Sequence, residues 1–200
     1  MRILVIGATG TIGRAVVAAL SAGHEIIPAS SRSTAIKVDI ADPASIRQMY
    51  RSVGKLDAVV CAAGQAKFAP LAQLADVDFR FSLDNKLMGQ VNVVRLGFEH
   101  VADGGSFTVT TGILAQAPMV GSAAISLVNA GLEGFIRAAA LEAPRRIRVN
   151  AVSPPWVVET LQQLKMDTSQ GLPAKTVART YVQSVTGAES GATLRPSAEA

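Results

Sequence analysis

The chain has 200 residues, of which 49% are hydrophobic and 17% are charged, and its formal net charge is +4. This length suits one domain with a substantial core and excludes a dinucleotide-binding domain joined to a separate substrate domain. The single cysteine and the lack of a signal-like N-terminus predict a cytoplasmic protein, and the scattered basic residues and scarce aromatic residues argue against a nucleic-acid partner.

Strand-like and helix-like segments alternate along the chain, a pattern typical of a parallel sheet covered by helices on both faces. The predicted strands are 2–6, 25–28, 36–40, 56–62, 107–111 and 147–152, with a short last strand at 192–195. The predicted helices are 11–20, a helix through Ile46 and Tyr50 that begins at Asp42-Pro43, 83–100, 122–141 and 174–185. The predicted fold class is therefore α/β, a doubly wound parallel sheet in a single Rossmann-type domain over residues 1–200.

The uncharged stretch 112–132 is long enough to cross a bilayer. Polar residues and a proline interrupt it at Gln116, Pro118, Ser122, Ser126 and Asn129. We therefore predict a buried helix with the loop before it, and no membrane partner.

Glycines mark the turn between the first strand and the first helix. The turn reads Gly7-Ala8-Thr9-Gly10-Thr11-Ile12-Gly13. Here Gly7 permits the turn, Gly10 lets a phosphate approach the backbone, and Gly13 lets the helix pack closely on the strand. The pattern predicts that Gly7, Thr9, Gly10, Thr11, Ile12 and Gly13 bind the pyrophosphate of a nicotinamide dinucleotide. The alternative is a tight strand-to-helix turn without a ligand.

The end of the second strand bears on which dinucleotide is bound. Proteins that bind NAD usually place a carboxylate there, whereas this chain has Ser30-Ser31-Arg32. A guanidinium flanked by hydroxyl groups suits a 2′-phosphate, so the segment favours NADP(H). The alternative is a solvated polar loop.

Further motifs in chain order resemble those of the short-chain dehydrogenase/reductase family. The matching segments are Asp39-Ile40, Cys61-Ala62-Ala63-Gly64, Asn85, residues 147–154 and Thr160. The resemblance implies that Asp39 and Ile40 hold the adenine, that Ala62, Ala63 and Gly64 line the cofactor, and that Pro154 and Thr160 belong to the loop on the nicotinamide side. It also implies a catalytic role for Asn85 and a homodimer or homotetramer built on the two long helices. Two departures from the family pattern are Pro155, which replaces a glycine, and Thr11, which stands at the middle glycine of the turn.

The family's catalytic Tyr-x-x-x-Lys pair is missing from the helix that should carry it. In register with that helix, Ile125 takes the tyrosine position and Asn129 the lysine position. Gly112 takes the place of the serine that orients the substrate, with Thr111 as the nearest hydroxyl. The remaining candidates for a site are Asn85, Thr111, Ser122 and Asn129. Lys86 is a further candidate that we expect at the surface or at a subunit interface, because it faces about 100° away from Asn85 around a helix.

These features predict an NADP(H)-dependent oxidoreductase of atypical short-chain type, without a metal site. It would transfer a hydride to a small carbonyl, quinone or activated alkene. A catalytically inactive NADP(H)-binding sensor or scaffold is the alternative, because the tyrosine and lysine are missing. An isomerase or lyase that holds its cofactor tightly, and a nucleic-acid binder that uses Arg145, Arg146 and Arg148, are two further readings.

Overall fold

The computed structural model of the chain describes residues 1–198 and contains a seven-stranded, fully parallel sheet. The strands are β1 Arg2–Ile6, β2 Glu25–Ser30, β3 Ile36–Lys37, β4 Leu56–Cys61, β5 Val101–Thr110, β6 Arg148–Val152 and β7 Thr193–Leu194. Their spatial order is β3-β2-β1-β4-β5-β6-β7, which is the doubly wound order of a Rossmann fold. The predicted fold class is confirmed. Because the strand order reverses between β1 and β4, a crevice opens beyond the carboxyl ends of these two strands.

Helices connect the strands and cover both faces of the sheet. They are α1 Thr11–Leu20, α2 Pro43–Val53, α3 Asp76–Ser82, α4 Gly89–Gly97, α5 Ala123–Glu142, α6 Val158–Gln163 and α7 Ala174–Thr186. A π-helical turn, Leu83–Met88, joins α3 directly to α4, and a short 3₁₀ turn, Phe98–His100, follows α4. As the sequence predicts, Asp42 caps α2 by accepting a hydrogen bond from the Ala44 N–H at 2.8 Å.

Two buried clusters lie on opposite faces of the sheet, because successive side chains along a strand point in opposite directions. In β1, Leu4 and Ile6 pack with α2, α4 and α5 in one cluster. Ile3 and Val5 pack with α1 and α7 in the other cluster. Both faces are therefore apolar, which explains why the strands read as continuous hydrophobic runs.

Several boundaries of the helices and strands differ from the sequence prediction. The strand predicted at 36–40 ends at Lys37, because the Asp39 N–H bonds to the Ser45 hydroxyl at the start of α2. The strand predicted at 107–111 begins six residues earlier, at Val101, and runs through Gly104 and Gly105. The helical region predicted to start at residue 83 begins at Asp76, and α6 lies in a segment for which the sequence predicts no helix.

Helix α5 is long and apolar enough to cross a membrane, judged by length and composition alone. In the fold, one side of α5 packs on the sheet through residues such as Val128, Leu132 and Ile136. A core helix of a soluble domain passes the same test.

Candidate functional site

The glycine turn lies at the crevice and fits closely against its neighbours. Gly7 has a φ of +83°, and a Cβ there would lie 2.8 Å from the Ala62 carbonyl carbon. A Cβ at Gly13 would overlap the Gly7 carbonyl oxygen, so α1 approaches β1 only because both positions are glycine. By contrast, Gly10 is exposed, and among the described atoms its Cβ would meet only the Gly7 oxygen, at 3.3 Å. The turn is therefore packed on its inner side and open on its outer side.

The outer side of this turn carries the hydrogen-bond donors that an anion needs. The amides of Thr11 and Ile12 begin α1, and at a helix start such groups have no acceptor within the helix. The exposed Arg14 folds back over the turn, where its guanidinium donates to the Thr9 carbonyl at 2.7 Å. Arg14 belongs to none of the motifs that predict cofactor-binding residues, and its position one residue after Gly13 is the only sequence signal for it. Helix-start amides and a nearby cation together suit a pyrophosphate.

At the end of β2, the three predicted cofactor-binding residues differ in exposure. The Ser30 hydroxyl is buried and accepts from the Ser33 N–H at 3.0 Å, so it stabilises the loop. Ser31 and Arg32 are exposed. Lys37 donates to the Arg32 carbonyl at 2.6 Å, which brings a second cation to this corner. The corner has two cationic side chains available to a 2′-phosphate.

The residues expected around the adenine and the cofactor also lie at this edge of the sheet. Asp39 is exposed, and its carboxylate accepts from the Ala41 N–H at 3.0 Å. Ile40 is only 5% exposed and packs against Gly89, so it belongs mainly to the core. Ala62 and Ala63 follow β4 directly beside the glycine turn, and Gly64 continues the loop with a φ of +139°.

A cavity of about 250 Å³ opens between the ends of β5 and β6 and helices α5 and α6. Its lining is mostly apolar. The lining residues are Ile12, Lys86, Thr111, Gly112, Ile113, Leu114, Ile125, Asn129, Pro154, Pro155, Trp156, Val157 and Thr160. The structure thus brings together five sequence-predicted site residues from four separate segments: Ile12, Thr111, Asn129, Pro154 and Thr160.

Two of the predicted polar residues, Thr111 and Asn129, line this cavity, and they differ in whether their polar groups have hydrogen-bond partners. The Thr111 hydroxyl contacts the Glu133 carboxylate and the Val152 carbonyl, each at 3.4 Å. The Asn129 amide group donates to the Gly112 carbonyl at 3.5 Å, but its own carbonyl oxygen is buried and has no partner within residues 1–198. An unpaired buried acceptor is costly, so this oxygen lacks a donor that a folded protein usually supplies.

Ser122 and Asn85 lie outside the lining of this cavity. The Ser122 hydroxyl is 1% exposed and is engaged with Met119 and Ser126 at distances of 2.7 to 3.0 Å. The Asn85 side chain accepts from the Gln65 N–H at 2.7 Å and so fixes the loop that follows β4. Both side chains hold backbone segments around the site.

Lys86 lies in the site, and the expectation that it faces the surface or a subunit interface is wrong. It is partly buried, and its ammonium lies 3.4 Å from the Thr111 carbonyl oxygen. The reason is the π-helical turn Leu83–Met88, whose wider i→i+5 hydrogen bonding changes the face on which its residues lie. Burial lowers the pKa of Lys86 to about 8.

The two tyrosines and the cysteine are core residues. The Tyr50 hydroxyl donates to the Val93 carbonyl at 2.6 Å, and the Tyr181 hydroxyl pairs with Thr110 at 2.7 Å. Both side chains are fully buried, and burial raises the pKa of each phenol. Burial also raises the pKa of the Cys61 thiol to about 11, which agrees with a packing role rather than a nucleophilic one.

Comparison with known proteins identifies the family to which the chain belongs. The family model described as enoyl-(acyl carrier protein) reductase matches residues 11–194. The chain belongs to the short-chain dehydrogenase/reductase family. The resemblance inferred from the sequence motifs is thereby confirmed.

Members of this family and similar folds cover the chain to different extents. The crystal structure of lin1944 from Listeria innocua is 41% identical and superposes with a TM-score of 0.94 over 98% of each chain. Hydroxynaphthalene reductase arp2 of Aspergillus fumigatus is 32% identical over 113 residues, which are 56% of this chain and 41% of arp2. L-xylulose reductase of Mesocricetus auratus is 29% identical over 178 residues, which are 80% of this chain and 73% of that enzyme. The chain spans about half the length of several curated relatives that it matches.

Short-chain dehydrogenases/reductases use a nicotinamide cofactor, and the residues at the crevice fit one. The glycine turn leaves its outer side open for a pyrophosphate. Two buried polar atoms without partners in the described chain, the Asn129 carbonyl oxygen and the Ser153 hydroxyl, lie in or next to the segments that line the cavity. In residues 1–198 no group of three or more His, Cys, Asp or Glu side chains is arranged to hold a metal ion.

Proposed function

We propose that the chain is an NADP(H)-dependent oxidoreductase of atypical short-chain type that reduces a small carbonyl, quinone or activated alkene. The observation that carries this proposal is the alignment of the open glycine turn with an apolar cavity that contains an unpaired buried acceptor. In a dinucleotide-binding fold, a cavity in this position would receive the reactive end of the cofactor, and its apolar lining would keep water away. The fold itself does not establish the chemistry, so the proposal rests on this site.

The preference for NADP(H) over NAD(H) is proposed from charge. No carboxylate stands at 30–34, the segment that ends β2, where NAD binders place one. Arg32 and Lys37 bring two cations to this corner, and Arg14 adds a third cation at the glycine turn. A dianionic 2′-phosphate gains from such a cluster, whereas a ribose hydroxyl gains little.

Different residues of this chain would bind the two halves of the cofactor. The turn Gly7–Gly13 and the start of α1 would hold the pyrophosphate, and Pro154, Thr160 and Asn129 would hold the nicotinamide half. When bound, the reduced cofactor supplies a hydride. The apolar walls would keep water away from the reacting atoms, and Lys86 is held at the cavity by its contact with the Thr111 backbone carbonyl. Positioning of the substrate in such a cavity contributes to rate even where acid-base catalysis is incomplete.

We also propose that two copies of the chain associate through the faces of α4 and α5 that point away from the sheet. Large apolar side chains are exposed on α5 and on the helical segments that lead into α4: Leu127 at 49% lies on α5, Met88 at 41% ends the π-helical turn, and Phe81 at 44% lies on α3. Exposed apolar patches of this kind commonly mark interfaces.

A binding protein without catalytic activity is the second candidate, and one observation favours it. Both tyrosine hydroxyls are engaged in the core, so neither is free to act as the family's proton donor. Loss of positioned acid-base catalysis costs about 10²- to 10⁴-fold in rate. A slow oxidoreductase and an inactive binding protein are therefore both candidates, and turnover distinguishes them.

The two candidates are separated by a turnover assay on the purified chain. NADPH oxidation is followed by absorbance against a panel of ketones, quinones and enones. Turnover with at least one compound supports the oxidoreductase. Tight NADPH binding without turnover across the panel would support the sensor or scaffold instead.

The NADP(H) preference is tested with Arg32→Ala. Because Arg32 would contact only the 2′-phosphate, this change should weaken NADPH binding about tenfold or more and leave NADH binding nearly unchanged. Equal losses for both nucleotides would refute this role of Arg32. Arg137→Ala, at an exposed position on α5, serves as the control for lost surface charge.

A further inference from the structure

Lys86 is the only ionisable side chain in the lining of the 250 Å³ cavity. It also lines a second cavity of about 420 Å³, formed by Gly64, Gln65, Ala66, Lys67, Phe68, Phe81 and Ile125 together with Lys86. The two cavities therefore meet at Lys86 and Ile125. A substrate that enters from one cavity and a cofactor end that occupies the other would meet at this ammonium.

The surroundings hold the Lys86 side chain in place without neutralising it. Its ammonium contacts the Thr111 carbonyl at 3.4 Å, which is at the long end of the hydrogen-bond range. In the part of the chain that the structure describes, no carboxylate forms an ion pair with it. A Cβ at Gly64 would lie 3.1 Å from the Lys86 Cγ, so the glycine allows the loop after β4 to cover the stem of the lysine. At least one N–H of the ammonium remains available to the cavity.

We propose that Lys86 is the proton donor for carbonyl reduction and takes over the role that the absent tyrosine has elsewhere in the family. This inference rests on the proposed function. As a hydride adds to the carbonyl carbon, the C=O π bond breaks, and the oxygen takes a proton from the Lys86 ammonium. The N–H bond breaks as the O–H bond forms. The carbonyl is reduced to an alcohol, the dihydronicotinamide that supplied the hydride is oxidised, and the neutral amine regains a proton from water.

The other polar groups near the cavity are less suited to this role. The amide of Asn129 and the hydroxyl of Thr111 do not release protons near neutral pH. Tyr50 and Tyr181 are committed to core hydrogen bonds, and their hydroxyls are fully buried. Of the lining residues, Lys86 alone combines a releasable proton with access to the cavity.

The acidity of Lys86 suits this role. Burial lowers the pKa of the ammonium to about 8, close to the pH at which a general acid works best. The titratable groups around it are Cys61 behind the cavity, Lys67 in the adjoining cavity, and Glu133, which is hydrogen-bonded to Thr111. Because the donor must be protonated, reduction should be fastest below pH 8 and should fall about tenfold per pH unit above it.

The first test does not depend on catalysis. The unmodified chain is labelled with trace acetic anhydride between pH 6 and pH 11, and the labelling of each lysine is quantified by peptide mass spectrometry. We expect Lys86 to become half-reactive near pH 8, and NADP⁺ to slow its labelling. A midpoint near 10.4, the ordinary value for lysine, would overturn the proposal.

The second test compares Lys86→Met, Lys86→Arg and the surface control Lys175→Met in NADPH binding and in single-turnover reduction of the fastest ketone of the panel. We expect both Lys86 variants to bind NADPH within about threefold of the unmodified chain and to lose about 10²- to 10⁴-fold in rate. Arginine keeps the charge but does not release a proton, so its failure separates proton donation from charge. The decline of the rate above pH 8 should also disappear in both variants.

The outcomes separate this inference from the proposed function. If the unmodified chain reduces the ketone and either Lys86 variant retains both the rate and the alkaline decline, the proton donor is a different group and the proposed function stands. If the unmodified chain binds NADPH but reduces nothing, the proposed function and the role of Lys86 fail together.

Discussion

Replacement of Lys86 by methionine should raise the free energy of unfolding at neutral pH. Burial lowers the pKa of this lysine from 10.5 to about 8, which means that the folded state disfavours its charged form. At about 1.4 kcal/mol per pH unit, this difference corresponds to about 3 kcal/mol. Because the side chain is only partly buried, solvent screens part of this cost, and we expect a gain of about 1 to 3 kcal/mol.

The pH dependence of this gain follows from proton linkage. Below pH 8 the lysine is charged in both the folded and the unfolded chain, so the unmodified protein carries the full cost. Between pH 8 and 10.5 the unfolded chain binds more protons than the folded one, so the stability of the unmodified protein rises with pH. The advantage of Lys86→Met should therefore be largest at pH 7 and should shrink by pH 10.

Urea denaturation followed by circular dichroism at pH 7 and pH 10 measures both effects. Lys175→Met is the control, because Lys175 is exposed and its replacement should change stability by less than about 0.5 kcal/mol. A Lys86→Met variant that is no more stable than the unmodified chain at pH 7, or whose advantage grows with pH, would refute the reasoning. A higher free energy of unfolding in Lys86→Met would also agree with a general property of active sites, whose functional residues often lower stability.

Further changes test the glycine turn and the proposed dimer. Gly13→Ala should destabilise the fold by about 1 to 3 kcal/mol in urea denaturation, because the added Cβ would overlap the Gly7 carbonyl. Gly23→Ala is the control and should not destabilise the fold, since the space around Gly23 is open. Equal effects of the two changes on stability would contradict the packing argument. Gly10→Val should abolish the binding of both NADPH and NADH in calorimetric titrations while the circular dichroism spectrum is retained, since only the open side of the turn is filled; retained binding would refute the phosphate site. Leu127→Glu should convert a dimer to monomers in sedimentation equilibrium, and an unmodified chain that is already monomeric would refute the proposed interface.

Much of the fold could be predicted from the sequence because local patterns and the global architecture agree. The apolar run 2–6, the glycine turn and the amphipathic helix 11–20 are each unambiguous, and the structure has β1 and α1 with these bounds. The predicted bounds of a strand were wrong where its local sequence conflicts with the pairing of that strand in the sheet. Gly104 and Gly105 lie within β5 although glycine is depleted in strands, and β5 passes an irregularity in its register with β4.

The candidate site was only partly predictable. Thr111 and Asn129 were found by register with the family's motifs, and both line the cavity. Lys86 was misplaced because an angle of 100° per residue holds only for an α-helix, and the π-helical turn has no recognised sequence signal. Ser122 lies outside the cavity lining for another reason: a serine before a helix often bonds its own turn, and here it does so with Met119.

The central claim is that the crevice beyond β1 and β4 binds a nicotinamide dinucleotide. The most direct test is calorimetric titration of the unmodified chain with NADPH and, separately, with NADH. We expect saturable binding of NADPH with one site per chain, and binding of NADH that is at least about tenfold weaker because it lacks the 2′-phosphate. The absence of saturable binding of either nucleotide would contradict the account.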